Sequence, residues 1–210
     1  REIFNRDILN TNGDVLDLWT DAYEVINSCN NVINALDVVV AADQNRVRGE
    51  ALALRAWAHF ELTRMFGQQY EAGIDNTQLA VPLILIPTLA FGDNVDVTRN
   101  TVEECYNQVI TDLTEAESLL PESNDVFINK YTAAALLARV YLQKADYAAA
   151  RDAANRVIAS GDYELNNTYA ECFAQDDPTD EDIFSAEKSE IDNSNVMVTY
   201  FAINDFGGRA

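Results

Sequence analysis

Basic residues are scarce in this chain of 210 residues, which carries 14 lysines and arginines against 35 acidic residues and a net charge of −21. Three of the basic residues are lysines: Lys130, Lys144 and Lys188. Proteins that bind nucleic acid or anionic membrane surfaces need clusters of lysine and arginine, so this composition argues against both kinds of partner. A chain of this charge is expected to prefer neutral or cationic partners.

Long apolar runs are also missing. A membrane-spanning helix needs about 18 to 20 consecutive apolar residues, and the most apolar loop run, residues 81–86, is far shorter and contains Pro82. Apolar residues still make up 48% of the chain, which is typical of a globular fold with its own core. Because the chain opens at Arg1 without an initiating methionine, we expect a processed or truncated piece of a longer protein.

Residues that commonly carry out chemistry are few. The cysteines Cys29, Cys105 and Cys172 lie far apart and form no CxxC pair, so we expect buried free thiols rather than a zinc site or a disulfide framework. The single histidine, His59, falls inside a predicted helix, where a satisfied or surface side chain is expected. The acidic loop 175–182 lacks the glycine and closing glutamate of an EF-hand. The sequence therefore predicts no enzyme, no metal site and no cofactor.

Apolar residues recur at helical spacing in five segments, which we predict to be α-helices at about residues 14–40, 44–66, 101–120, 130–144 and 147–160. Asp14 is the predicted N-cap of the first helix, and Thr101 with Glu104 forms a capping box at the third. Gly67 is the predicted stop of the second helix. These signals predict an all-α fold with short turns between its last two helices.

Two regions lack helical periodicity. The long connection 67–99 contains three glycines and two prolines, and loops of this length are often functional. Residues 162–210 follow a change of character at Gly161 and are predicted to be irregular, with extended segments at 183–186 and 196–203. We therefore predict a helical region at 1–161, with a loop insertion at 67–99, and the start of a second, irregular region at 162–210.

A local repeat pattern defines how the helices should pack. Leu137-Ala138, Tyr141, Ala145-Asp146-Tyr147 and Ala150 occupy the positions of small and aromatic residues in a tetratricopeptide repeat. Small residues let paired helices approach closely, and each pair leaves an apolar face for the next pair to cover. The sequence therefore predicts tetratricopeptide-like stacked helix pairs, an α–α superhelix of degenerate repeats.

Some polar and aromatic residues are candidates for specific roles. Arg55 and Arg139 lie on apolar helical faces, so we expect each to pair with a carboxylate. Flat aromatic rings can stack on sugar rings, and Trp19, Tyr70 and Phe91 lie at a helix start or in the long loop, where they would be reachable. For each of these rings ordinary packing is favoured, and stacking on a sugar is the alternative.

Several stretches occur together in an order that resembles a known family. They are residues 50–62 (EALALRAWAHFEL), Val81-Pro82-Leu83, residues 110–121 (ITDLTEAESLLP) and residues 181–185 (EDIFS). In combination, from about residue 14 to 186, they are similar to the SusD/RagB family of nutrient-binding lipoproteins. The lipid-bearing N-terminal cysteine is absent from this chain, as is most of an irregular C-terminal half.

The resemblance implies a function without catalysis. Members of the family are anchored by a lipid to the outer membrane, face outward, and hand oligosaccharides, or peptides in some branches, to a TonB-dependent SusC-like transporter. For this chain it implies membrane association only through an N-terminal lipid. Ligand contacts follow no shared motif, so none can be transferred from the family to this chain. The candidate ligand-binding residues are Asn12, Trp19 and Tyr70. The alternative is a tetratricopeptide-type adaptor for protein partners, although the sequence has too few lysines for a basic peptide groove.

Overall fold

The computed structural model describes residue 9 and residues 11–90, 92–93, 96–173 and 178–185. Five α-helices occur in these residues: α1 (Gly13–Asn34), α2 (Gln44–Phe66), α3 (Val102–Leu119), α4 (Lys130–Gln143) and α5 (Tyr147–Ile158). Two short 3-10 helices occupy Leu36–Val38 and Tyr169–Phe173. The same residues contain no β-strand, only one isolated antiparallel bridge between Leu79 and Thr101. The predicted all-α architecture is confirmed.

The helix ends follow local capping chemistry. Thr101 and Glu104 form the predicted capping box of α3, and Gly67 is the C-cap of α2. The predicted N-cap of α1 was wrong by two residues, because the side chain of Asn12, not Asp14, accepts from the backbone N–H of Val15 at 3.1 Å. Its predicted end at residue 40 was also wrong. The helix ends at Asn34, and a 3-10 turn follows in a stretch rich in β-branched valines, which favour helices less.

Each helix packs against the next one along the chain, from α1 to α5, as stacked helix pairs do. The start of α2 lies close to the end of α3 at the buried Gly49, where a Cβ atom would lie 2.8 Å from Cγ of Leu120, the C-cap of α3. The shared core is built from buried apolar side chains of all five helices and the loop, among them Ile26, Leu52, Val81, Leu113, Leu137 and Ala153. Small buried residues such as Gly49 and Ala116 therefore let neighbouring helices approach closely, as the repeat pattern requires.

A buried polar cluster joins α1, α2 and α3. The guanidinium of Arg55 makes two hydrogen bonds of 2.8 Å to the carboxylate of Asp112 and a third, of 2.9 Å, to Oδ1 of Asn30. Arg55 is 6% exposed and Asp112 is 2% exposed. The predicted carboxylate partner of Arg55 is thus confirmed. Arg139 also has a carboxylate partner, because its Nη2 lies 3.7 Å from Oε1 of Glu61. Its side chain is 53% exposed, so its predicted place on an apolar face was wrong.

The cluster also holds the long loop, residues 67–101. Nδ2 of Asn30 donates to the carbonyl oxygens of Ile84 and Ile86 at 2.9 and 3.2 Å. The N–H of Ile84 donates to Nε2 of the fully buried His59 at 3.4 Å. The loop is therefore fixed to α1 and α2 by buried side chains rather than by strand pairing.

Residues 161–185, where described, pack back on α4 and α5. Tyr163 and Ile183 lie against a small cluster formed by Tyr131, Ala134 and Val157. The predicted extended segment 196–203 and residues 175–177 of the acidic loop lie outside the described residues. The predicted boundary near residue 161 stays a prediction.

Candidate ligand-binding site

Two depressions border the long loop. The first, which we call the aromatic–amide depression, has a volume of about 520 Å³ and is lined by Arg64, Met65, Gln68, Gln69, Tyr70, Tyr106, Leu142, Gln143, Ala145 and Tyr147. The second, the loop-side depression, has a volume of about 260 Å³ and is lined by Trp19, Tyr23, Asn27, Pro82, Ile84, Thr88, Asp93 and Val97. The first falls within the range of about 300 to 1,000 Å³ that is usual for ligand pockets.

The aromatic–amide depression forms where four helices and the loop meet. α2 ends at Gly67, whose N–H donates to the carbonyl of Thr63, and the extended backbone beyond it carries Gln68 to Tyr70 along one wall. The start of α3 supplies Tyr106, and the turn between α4 and α5 supplies the opposite wall. In that turn Ala145 adopts a left-handed φ of 57°, which accounts for the glycine that tetratricopeptide repeats prefer there.

The aromatic rings of the depression are not equally available. The ring of Tyr70 lies 5.0 Å from that of Tyr106, and Nζ of Lys144 lies 5.0 Å from the Tyr70 centroid. The hydroxyl of Tyr106 donates to Oε1 of Gln143 at 2.8 Å. Tyr147 is 68% exposed, so its ring is the most accessible flat surface of the depression. Its neighbours Met65 and Leu142 are also exposed.

The polar groups of this depression are mainly uncharged. Gln68 and Gln69 are exposed, and their side-chain amides make no hydrogen bond within the described residues. Burial, followed by the hydrogen bond and charge of Glu103, raises the pKa of Tyr70 to about 12. Burial likewise raises the pKa of Tyr106 to about 12. Both phenols therefore stay protonated at neutral pH, and the depression offers neutral donors and acceptors.

The loop-side depression uses its polar groups to hold the loop. The hydroxyl of Tyr23 donates to the carbonyl of Pro82 at 2.8 Å, and Oδ1 of Asn27 accepts from the N–H of Thr88 at 2.8 Å. Trp19 packs edge-on against Phe66, with ring centroids 4.8 Å apart, and at 5.0 Å from Tyr23. Its ring is half-buried and works as packing for the loop wall.

The three candidate residues from the sequence are not brought together. Tyr70 lines the aromatic–amide depression, Trp19 lines the loop-side depression, and Asn12 caps α1. Phe91 lies outside the described residues. Their role in ligand binding stays a prediction. Sequence reasoning missed Tyr147, because its position in the repeat pattern indicated packing between helix turns, and it missed Gln68 and Gln69, which carry no motif.

Other kinds of site were sought in the same residues. Among the described residues no group of three or more His, Cys, Asp and Glu side chains is placed to hold a metal ion. Cys29 and Cys105 are buried and free, as predicted, while the side chain of Cys172 lies outside the described ones. No helix of the described part is long and apolar enough to cross a membrane.

Comparison with known proteins identifies the family. A family model described as "Starch-binding associating with outer membrane" matches residues 2–142. The chain belongs to the SusD-like family. A curated relative, SusD-like protein P38 of Formosa agariphila, is 30% identical over 148 residues, which cover 70% of this chain and 27% of that protein. The recognition of a SusD/RagB-type sequence is therefore confirmed.

Solved structures agree with this assignment. A SusD superfamily protein from Bacteroides thetaiotaomicron is 35% identical, with a TM-score of 0.64, over 70% of this SusD-like chain and 33% of that one. A structure described as a laminarin-binding SusD-like protein is 27% identical, with a TM-score of 0.65, over 75% of this chain and 34% of that one. The chain thus spans about a third, or less, of the length of the proteins it matches.

Proposed function

We propose that this SusD-like chain is the helical part of a cell-surface protein that binds oligosaccharide nutrients, without catalysis, and delivers them to a TonB-dependent SusC-like transporter. The family model and the laminarin-binding neighbour support the carbohydrate part of this proposal. Since the chain spans about a third of its relatives, the aromatic–amide depression is proposed as one part of a larger binding surface.

The observation that carries the proposal is the exposed ring of Tyr147 in the same depression as the exposed amides of Gln68 and Gln69. A pyranose ring presents apolar C–H groups on its faces and hydroxyl groups around its edge. The tyrosine ring suits the faces, and side-chain amides, each both donor and acceptor, suit the hydroxyls. The lining residues include no histidine, cysteine, aspartate or glutamate, the side chains that most often act as general base or nucleophile, and this supports a proposal of binding without catalysis.

Affinity electrophoresis of the 210-residue chain in gels containing soluble starch or laminarin tests the binding. We expect retardation by at least one of the two polysaccharides, and we expect Tyr147→Ala to lower the apparent affinity about tenfold. Tyr169→Ala is the matched control, because Tyr169 is also strongly exposed and lies outside the depression. Equal retardation of wild type and Tyr147→Ala would remove this depression from the proposal.

The location and the transporter partner rest on the family. Its description names association with the outer membrane, and a lipid anchor on the longer parent protein would provide that association. Purification of the tagged parent protein from its native outer membrane tests this part. We expect a TonB-dependent transporter to be recovered with it, and recovery of the parent protein from the cytoplasm would contradict the proposal.

A further inference from the structure

Three sources of positive potential around the aromatic–amide depression each lie next to a carboxylate. The three sources among the described residues are Arg64, which lines the depression, Lys144, which lies behind Tyr70, and the N-terminus of α5. Their electrostatics decide whether a glycan with sulfate or uronate groups could bind there, since such groups require charge-assisted hydrogen bonds.

Arg64 is paired within its own helix. Its Nη1 lies 2.5 Å from Oε2 of Glu61, and its guanidinium carbon lies 5.5 Å from the centre of the Phe60 ring. The carboxylate of Glu61 also lies 3.7 Å from Arg139. A negatively charged ligand would have to displace or compete with this carboxylate.

Lys144 is paired more completely. Its Nζ donates to Oε1 of Glu103 at 3.2 Å and to Oδ1 of Asn107 at 3.1 Å, while it also faces the ring of Tyr70. The Lys144 side chain is 15% exposed. All of its interactions are with the protein, so it is not available to a sulfate group on the ligand.

The N-terminus of α5 opens beside Tyr147 and would otherwise attract an anion. Asp146 is the N-cap there, and its Oδ1 accepts from the N–H of Ala149 at 3.1 Å. The carboxylate therefore cancels the positive end of the helix dipole. The net charge of −21 adds a repulsive field over longer distances.

We infer that the aromatic–amide depression selects uncharged glycans and rejects sulfated or uronate-bearing ones, because Glu61, Glu103 and Asp146 neutralise each positive group that faces it. The inference rests on the proposed function of the same depression. Glu61 is a specificity-determining residue in this account, since it pairs with Arg64, the one cation among the described residues that line the site.

The test compares starch and laminarin with their sulfated derivatives, at low ionic strength, by affinity electrophoresis. For the wild-type chain we expect at least tenfold weaker binding of the sulfated form of whichever polysaccharide retards it. Glu61→Gln frees the guanidinium of Arg64 and is expected to lower the ratio of neutral to sulfated affinity at least threefold. Glu117→Gln is the control: it makes the same change in net charge and frees Arg156, at the far ends of α3 and α5.

The outcomes separate the two proposals. Equal or tighter binding of a sulfated polysaccharide by the wild-type chain overturns the inference and leaves the proposed function intact. A ratio that Glu61→Gln and Glu117→Gln change equally also overturns it, since net charge alone would then account for the selectivity. If no polysaccharide, neutral or sulfated, retards the chain, the proposed function fails and the inference fails with it. A thermal melt of each variant confirms that it is folded.

Discussion

The loop-side depression and the aromatic–amide depression border the same loop, but their polar groups are used differently. In the first, the side chains of Tyr23 and Asn27 hold the loop backbone at Pro82 and Thr88. In the second, the amides of Gln68 and Gln69 are exposed and make no hydrogen bond within the described residues. A donor that is bonded to the backbone is not available to a ligand. Volume and aromatic content alone therefore do not identify a binding site.

The largest effect is expected from Arg55→Met, which breaks the cluster behind the loop-side depression. The substitution leaves the buried carboxylate of Asp112 without its cation and Asn30 without a donor. We expect the free energy of unfolding, measured by urea denaturation, to fall by about 3 to 5 kcal/mol.

Two further variants check that reason. Arg139→Met alters an arginine that is half-exposed and weakly paired, so it should change stability by less than about 0.5 kcal/mol. Arg55→Met combined with Asp112→Leu removes both charges and should recover much of the loss. Similar losses in the two single variants would mean that the buried pair is not what stabilises this end of the molecule.

The second effect is a dependence on pH that originates in His59. Burial, followed by the positive charge of Arg55, lowers the pKa of His59 from 6.5 to about 3. The unfolded chain therefore binds this proton first as the pH falls, and stability decreases from pH 6.5 towards pH 3. Between pH 6.5 and 5 the loss is on the order of 2 kcal/mol.

Denaturation curves of the wild-type chain and of His59→Gln, each measured at pH 6.5 and at pH 5, isolate this contribution. Glutamine keeps a hydrogen-bond acceptor for the N–H of Ile84 but does not titrate. We expect the wild-type chain to lose more stability than the variant over that interval. Parallel losses would assign the pH dependence to the carboxylates alone.

A smaller effect is expected from Tyr23→Phe, which removes the hydroxyl that donates to the carbonyl of Pro82. One partly buried hydrogen bond corresponds to about 1 kcal/mol of stability. Tyr147→Phe is the matched change in the other depression, where the hydroxyl has no partner in the described part, and it should be neutral to within about 0.5 kcal/mol. Equal effects in the two variants would contradict the comparison between the depressions.

The parts of the fold that sequence reasoning reached are those that depend on local order. Helical spacing predicted all five described helices, and the capping box at Thr101 needs only Glu104, three residues away. The partner of Arg55 was less accessible. Helical spacing placed both Arg55 and Arg139 on apolar faces and did not distinguish them. The buried partner of Arg55 is Asp112, which lies 57 residues further along the chain and is brought to it by the packing of the helices.

The candidate site was reached only in part, for a related reason. The aromatic–amide depression forms from the ends of α2 and α4 and the starts of α3 and α5, so its composition follows from tertiary packing. Tyr70 was named as a candidate from the sequence because it lies in the long loop. Tyr147 shares its sequence context with residues that pack between helices, and exposure alone separates it from them.

The smallest effect on stability is expected from Gln69→Ala, and its comparison with Gln108→Ala separates an effect on affinity from an effect on stability. Gln69→Ala removes an exposed side-chain amide, while the backbone carbonyl of residue 69 still accepts from the side chain of Gln78. The free energy of unfolding should therefore change by less than about 0.5 kcal/mol, whereas the affinity for the glycan should fall about threefold. Gln108→Ala removes an amide that donates to Asp112 at 2.8 Å, so stability should fall by about 1 to 2 kcal/mol with affinity unchanged. If the two variants lose stability and affinity in the same proportion, the distinction between amides that stabilise the fold and exposed amides that bind the ligand is wrong.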